Sequence, residues 1–432
     1  MQSRALIALV LVVLTASVSP GSRAADRSDL HDPALTLMAA VRRTLSRHPS
    51  LDVFEYRRDR LRGELAVAGL SPQRSVSLEV ENVPGTGTLR GADQTEVTLS
   101  LSSVVQLGGK RRARIGLAYA AIDRATAERE ARALDLLSDT TLAFLRTLAN
   151  RERLALARAA VELAERTLED VAVRVERGIS PKPDELRART RLYDARLDVL
   201  RASGRHEAQR TQLMARMGTM TDDFGELAGD LFHFGPLVDF DTLYEAASRS
   251  PAIAALASDV RLNEAALALE QSRSRADLSW SLGLRRLEAP GDFGLVTTLS
   301  LPLSQRQRSR GSVAAASAAR NEAGARRDVA LLELYALLFD AYQQRTFGGE
   351  AIRTLRDQTI PTLEQAAELS SAAYRRGRMS YLELLATQQQ LLGARQRLID
   401  TALATAEAGV QIERLSGESP LREVLPRSDE DR

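Results

Sequence analysis

The sequence predicts a mainly α protein with a small β part, built from one programme used twice. Three observations predict it. Four short stretches alternate apolar and polar residues, which is the period-two signature of strands. Two stretches, 111–177 and 312–376, run for more than sixty residues with at most one proline, long enough for helices of roughly 100 Å. Matching features recur at an offset of about 200 residues: Pro49/Pro251, Leu99/Leu299, Gly178/Gly377 and Gly218/Gly417.

Composition narrows the classes. The chain has 432 residues, 59 basic against 57 acidic, and no cysteine. That balance gives no sign of nucleic acid, and scattered Arg/Glu is the pattern of solvated helix faces. Without cysteine there are no disulfides and no thiolate metal ligands. Residues 1–24 have the order of a secretory signal: Arg4, an apolar Ala5–Leu14, then Ser22-Arg23-Ala24. No later segment approaches the ~18 apolar residues of a membrane helix, so any membrane insertion is expected to be as a barrel.

In chain order, the first repeat is expected over 25–218. Ala34–Arg47 and Val53–Leu70 have helical spacing and are separated by His48-Pro49. Strands follow at 75–83 (Val76, Leu78, Val80 against Ser77, Glu79, Glu81) and 95–103 (Val97, Leu99, Leu101 against Thr98, Ser100, Ser102). Pro84, Gly85, Gly87 and Gly91 mark the turn between them. Long helices are expected at 111–177 and 184–217. The first carries a heptad seam, Leu154, Ala157, Val161, Ala164, Leu168, Val171 and Val175. The second has a stripe of Leu186, Thr190, Tyr193, Leu197 and Leu200, and Gly178 with Pro181 and Pro183 separates the two. Residues 219–241 read as a connector. The second repeat, 242–417, has strands at 278–287 and 295–303 and long helices at 312–376 and 381–415, with a kink at Pro361. The polar residues 418–432 read as a tail.

Four strands cannot close a barrel, for which ~8 is about the smallest useful number. An open edge in lipid costs several kcal/mol for each unpaired amide. If these strands enter a membrane, several chains must pool them. This reasoning requires an oligomer without choosing its size.

The plan resembles the outer membrane efflux (TolC-like) family over the whole mature chain. Gln106–Arg114 (QLGGKRRAR) resembles the signature of the heavy-metal, CzcC/CusC-like subgroup, and Tyr374–Leu385 (YRRGRMSYLELL) the family's second hairpin tip. The first tip, Arg177–Leu186 (RGISPKPDEL), departs from it: its Ser-Pro pair sits one residue early and Pro183 is extra. His48-Pro49 stands where the family usually has Asn-Pro. The resemblance implies a homotrimer with a 12-stranded outer-membrane β-barrel, four strands from each of three copies, on a periplasmic α-helical tunnel. Its partners would be outer-membrane lipid, a periplasmic membrane-fusion adaptor and an inner-membrane pump of the resistance-nodulation-division (RND) class. It implies a passive exit duct with no enzymatic chemistry and no cofactor. Drug efflux and type I secretion are the other cargoes for such a duct. A soluble periplasmic coiled-coil adaptor or scaffold is the rival of a different class.

The candidate residues follow from the same motifs. Arg177, Gly178, Ser180, Arg376, Gly377 and Ser380 match the adaptor-contact tips, and the two glycines also suit helix C-caps. Asp184 and Glu383 each lie six residues past a tip glycine and are candidates for the periplasmic aperture. The competing reading is acidic residues favoured by a helix N-terminus. Lys110, Arg111, Arg112 and Arg114 form a basic strand-to-helix rim, answered by Arg306, Arg308 and Arg310; they either meet lipid head groups or are solvated charge. Met214 and Met217 fall where a helical stripe needs apolar packing, against a copper reading that would add Met220. The histidines 31, 48, 206 and 233 lack ligand spacing.

Overall fold

In the computed structural model, residues 34–417 are described apart from 84, 85, 90, 222, 223 and 290. The signal segment, the tail and the turn residues Pro84 and Gly85 lie outside the described residues. The elements run β1 Leu35–Thr36, α1 Leu37–Arg47, α2 Pro49–Ala68, β2 Ser75–Glu81, β3 Glu96–Val105, α3 Lys110–Glu176 and α4 Lys182–Arg216. After β4 Leu227–Ala228 the pattern recurs as α5 Phe240–Ala247, α6 Pro251–Arg273, β5 Leu278–Leu287 and β6 Phe293–Ser300. It ends with α7 Gln305–Arg308, α8 Arg310–Thr354, α9 Ile360–Arg375 and α10 Tyr381–Ser416.

The long helices form where the sequence predicts them. The third continuous stretch is broken differently: Leu355–Thr359 is a π-helical turn between α8 and α9. Pro361 has no N–H to donate back along the helix, so the ladder adjusts one turn earlier. The expected first helix also starts late. Leu35–Thr36 instead pairs in parallel with Leu227–Ala228, which ties the connector to the start of the first repeat. His48 is the N-cap of α2. Its Nδ1 accepts from the Ser50 backbone N–H at 3.2 Å, and burial, Arg132 and Arg216 hold its pKa below the usual value.

Apolar packing is strung along the helices as separate clusters. One cluster holds Leu35, Phe144, Leu148, Leu213, Met217 and Phe224; a second holds Leu243, Leu334, Leu338, Ala341 and Ile412. Ala143 and Leu213 in the first answer Ala341 and Ile412 in the second, so the duplicated sequence builds a duplicated core. Met217 is fully buried and Met214 packs beside it, while Met220 is exposed. The heptad seam of α3 is realised, with Leu154, Ala164 and Val171 buried. On α4 the buried face is a different one from the expected stripe. Ala188, Leu192 and Ala195 face α3 because small residues let the helices approach closely. Leu186, Tyr193, Leu197 and Leu200 point away and are exposed, Leu200 by 69%.

The two β-hairpins join into one antiparallel sheet of order β2-β3-β5-β6. One row of side chains, Leu78, Leu99, Leu284 and Leu295, crosses all four strands on one face. The next row, Ser77, Ser100, Gly283 and Val296, lies on the other face, where the two serine hydroxyls share a hydrogen bond of 2.8 Å. Nothing among the described residues covers the apolar face: Val76 is 71% exposed and Leu295 and Leu299 are each 73% exposed. β2 and β6 end the sheet as two open edges.

α8 and α10 approach closely at Gly348. A Cβ on Gly348 would stand 1.9 Å from Thr405 Oγ1 and 2.9 Å from its Cβ. Gly348→Ala is expected to cost about 1–3 kcal/mol by overpacking. A Gly348→Ala/Thr405→Gly double variant, which removes the opposing Cβ as well, should recover part of that loss, measured by urea unfolding in detergent.

Candidate functional site: the helical tips and the strand-to-helix joint

Each tip is a Schellman turn. Gly178 (φ +71°) donates to Val175 O at 3.0 Å and Ile179 N to Arg174 O at 2.8 Å. At Gly377 (φ +76°) the pattern repeats: Gly377 N donates to Tyr374 O and Arg378 N to Ala373 O, both at 2.9 Å. The left-handed conformation explains both glycines without any partner.

The return helices start differently. Ser380 makes a full capping box: its Oγ accepts from Glu383 N at 3.3 Å, while Glu383 Oε2 accepts from Ser380 N at 2.9 Å and from its Oγ at 2.8 Å. These bonds, the backbone one first, hold Glu383 below the usual carboxylate range. The S-x-x-E spacing was readable in the sequence and identifies a cap as the first role of Glu383. Pro181 replaces Ser380 in the first tip and offers no side-chain cap. Asp184 accepts from Arg187 at 3.3 Å. Its neighbour Glu185 is buried between Lys182 at 2.6 Å and Arg189 at 2.8 Å, in the position that Leu384 fills in the other tip. The Lys182 hydrogen bond is the main cause of its lowered pKa.

The structure brings the two tips together through Arg174, which the motif reading passed over. Its guanidinium donates to Tyr374 O at 2.6 Å and to Ser180 Oγ at 3.1 Å, and lies 4.6 Å from the centre of the Tyr374 ring. Beneath it Val171, Ala188, Tyr374, Tyr381 and Leu384 form a shared core. Ser180 therefore faces the seam between the hairpins, while Arg177, Gly178, Arg376 and Gly377 are exposed at the end. A basic residue in a helix's last turn, able to reach carbonyls of a neighbouring helix end, was the available signal for Arg174.

At the other end of the long helices, three of the four rim residues have internal partners. Lys110 is buried, 8% exposed, and its Nζ lies 2.7 Å from Asp277 Oδ1, which also accepts from Leu107 N at 3.1 Å. This joins the two repeats where strand becomes helix. Arg111 donates to Gly69 O at 2.6 Å; Arg114 donates to Ala68 O at 3.3 Å and Leu70 O at 3.2 Å, closing the end of α2. The burial of Lys110 departs from the expectation of lipid contact or solvated charge, while Arg111 stays exposed and Arg114 half-buried beside the α2 carbonyls that they bond. Arg112, Arg306, Arg308 and Arg310 are exposed. No described helix is long and apolar enough to cross a membrane, and no group of three or more described His, Asp or Glu could hold a metal ion.

Two predictions follow from this geometry. Ser380→Ala is expected to cost about 1 kcal/mol of local stability. The capping box should be intact above the ordinary carboxylate range and weaken as pH falls through the lowered pKa of Glu383. Amide exchange at Leu382–Leu384 against pH measures both. Asp277→Ala leaves Lys110 buried without its counter-charge and should destabilise by about 3–5 kcal/mol. Lys110→Met/Asp277→Leu should be much milder, compared by thermal melting in detergent.

The comparisons with known proteins agree with this geometry. The family model for outer membrane efflux protein matches residues 40–219 and 242–418. The cobalt-zinc-cadmium resistance protein CzcC of Cupriavidus metallidurans is 26% identical over 383 residues, covering 89% of this chain and 90% of that one. Among solved structures, the Campylobacter jejuni CmeC outer membrane channel superposes with a TM-score of 0.74 at 15% identity, covering 95% of this chain and 93% of that one. CusC does so with a TM-score of 0.72 at 15% identity, covering 89% and 92%. The twice-matched family model, spanning both repeats with their strands and long helices, shows that the chain belongs to the outer membrane efflux protein family.

Proposed function

We propose that the protein is the passive exit duct of a tripartite heavy-metal efflux system. In this reading it is a homotrimer whose closed barrel crosses the outer membrane and whose helices form a periplasmic tunnel. The observation that carries the proposal is the sheet: four strands, one mainly apolar face crossed by an unbroken leucine row, one polar face and two open edges. Lipid tolerates such a sheet only if its edges pair with those of other copies. Three copies supply enough strands for a water-filled lumen lined by the Ser/Thr/Glu face. The exposed stripe on α4 (Leu186, Tyr193, Leu197, Leu200) and the one on α8 (Val329, Leu332, Phe339) then pack between copies.

Cobalt, zinc or cadmium is the cargo class favoured by the resemblance to CzcC, with copper or silver as the related case. The cation is transported, so the duct needs no resident metal site. A periplasmic membrane-fusion adaptor would meet the tips at Arg177, Gly178, Arg376 and Gly377, and an RND pump would drive transport. The Arg174 link between the tips is where docking would act on the periplasmic opening. Asp184, which accepts from Arg187, and Glu383, held in its capping box, would lie near that aperture.

Deleting the gene should sensitise cells to one or more of cobalt, zinc, cadmium, copper and silver. Complementation with a Gly377→Trp variant should fail to restore resistance while the assembled oligomer still extracts from outer membranes. Unchanged metal tolerance with raised drug sensitivity would move the cargo to drugs. Full resistance with Gly377→Trp would remove the tip assignment.

A further inference from the structure

The polar face of the sheet carries an arrangement that the duct reading does not require. Glu81 on β2 and Glu96 on β3 are direct cross-strand partners, so two like charges stand opposite each other. Such a pair is destabilising when left alone. Arg285 of β5, from the other repeat, lies between them: Nη2 is 3.1 Å from Glu81 Oε2 and Nη1 is 2.6 Å from Glu96 Oε2. Its Nε donates to Thr98 Oγ1 at 3.0 Å. Glu79, the cross-strand partner of Thr98, is exposed one row away.

Opposed carboxylates a few ångströms apart are what divalent cations seek. Here the place between them is filled by a guanidinium, which stays protonated at all relevant pH and has the fork to satisfy both oxygens. We propose that Arg285 is a specificity-determining residue of the exit: a built-in cation that keeps passing divalent metal ions from lodging between Glu81 and Glu96. The inference rests on the proposed reading that the polar face lines the lumen. It also fixes the charge there. Glu79, Glu81 and Glu96 against Arg285 give −3 + 1 = −2 per chain, and loss of the arginine gives −3.

The test is conductance of the purified full-length oligomer in planar bilayers, with zinc chloride added from the barrel side. Wild type should conduct with little zinc block. Arg285→Gln should be blocked by zinc at concentrations lower by on the order of tenfold or more, and its reversal potential should shift toward cations. Arg285→Lys, which keeps the charge, should stay close to wild type. Glu81→Gln/Arg285→Gln should lose the new block. A loss of strand cross-linking alone would alter assembly, seen as a lower melting temperature of the oligomer, without creating zinc sensitivity. Unchanged block and reversal potential in an assembled Arg285→Gln channel would overturn the inference and leave the duct reading intact. A wild-type oligomer that does not conduct would overturn both.

Discussion

The arrangement depends on one constraint: a β-sheet placed in hydrocarbon must have no unpaired edge. This chain satisfies that constraint only halfway. Its two hairpins pair with each other along β3 and β5, yet β2 and β6 keep a free row of amides and carbonyls. Each unpaired group in lipid costs several kcal/mol, and a strand carries several of them. No packing of helices within one chain relieves that cost, because the helices begin where the sheet ends. Completion by other copies is therefore what the proposed duct asks of this sheet, and the uncovered stripes of α4 and α8 fit the same requirement.

The duplication builds the frame, and the differences between repeats mark where the frame has been adjusted. Equivalent positions in the two cores are filled by similar side chains, as at Ala143/Ala341 and Leu213/Ile412. The tips differ. One has Ser380 with a capping box, the other Pro181 without a side-chain cap; one buries Leu384, the other the paired carboxylate of Glu185. Arg174 then reaches across the asymmetry. At the membrane end, Lys110 and Asp277 make the corresponding link between repeats. Long stiff helices thus have cross-repeat charged contacts at both ends, with small apolar clusters between.

Much of this was legible in the sequence because period, glycine and proline are local signals. The strands, the four tip and terminal glycines, the heptad seam of α3 and the buried Met217 could be read directly. What could not be read was which face of a helix meets which neighbour. The stripe on α4 was visible, but its direction depends on Ala188 and Ala195 allowing a closer approach to α3 than the leucines could. The basic rim could not be resolved either, since the α2 carbonyls that accept from Arg111 and Arg114 lie more than forty residues away and Asp277 lies in the other repeat. Glu383 is the intermediate case. Its capping spacing is local and readable, whereas an aperture role is implied only by the resemblance.

The central claim is that the free edges of β2 and β6 meet in neighbouring copies and close after a fixed number. The chain has no cysteine, so single cysteines placed along β2 and along β6 report that seam without background. Oxidising outer membranes that contain double variants such as Ser77→Cys with Thr298→Cys, scanned over neighbouring positions, measures it directly. The account predicts covalent products that end at three chains, at registers that keep the apolar row on one face. Cross-linking that yields no product at any register, or a ladder that continues past three, would contradict it.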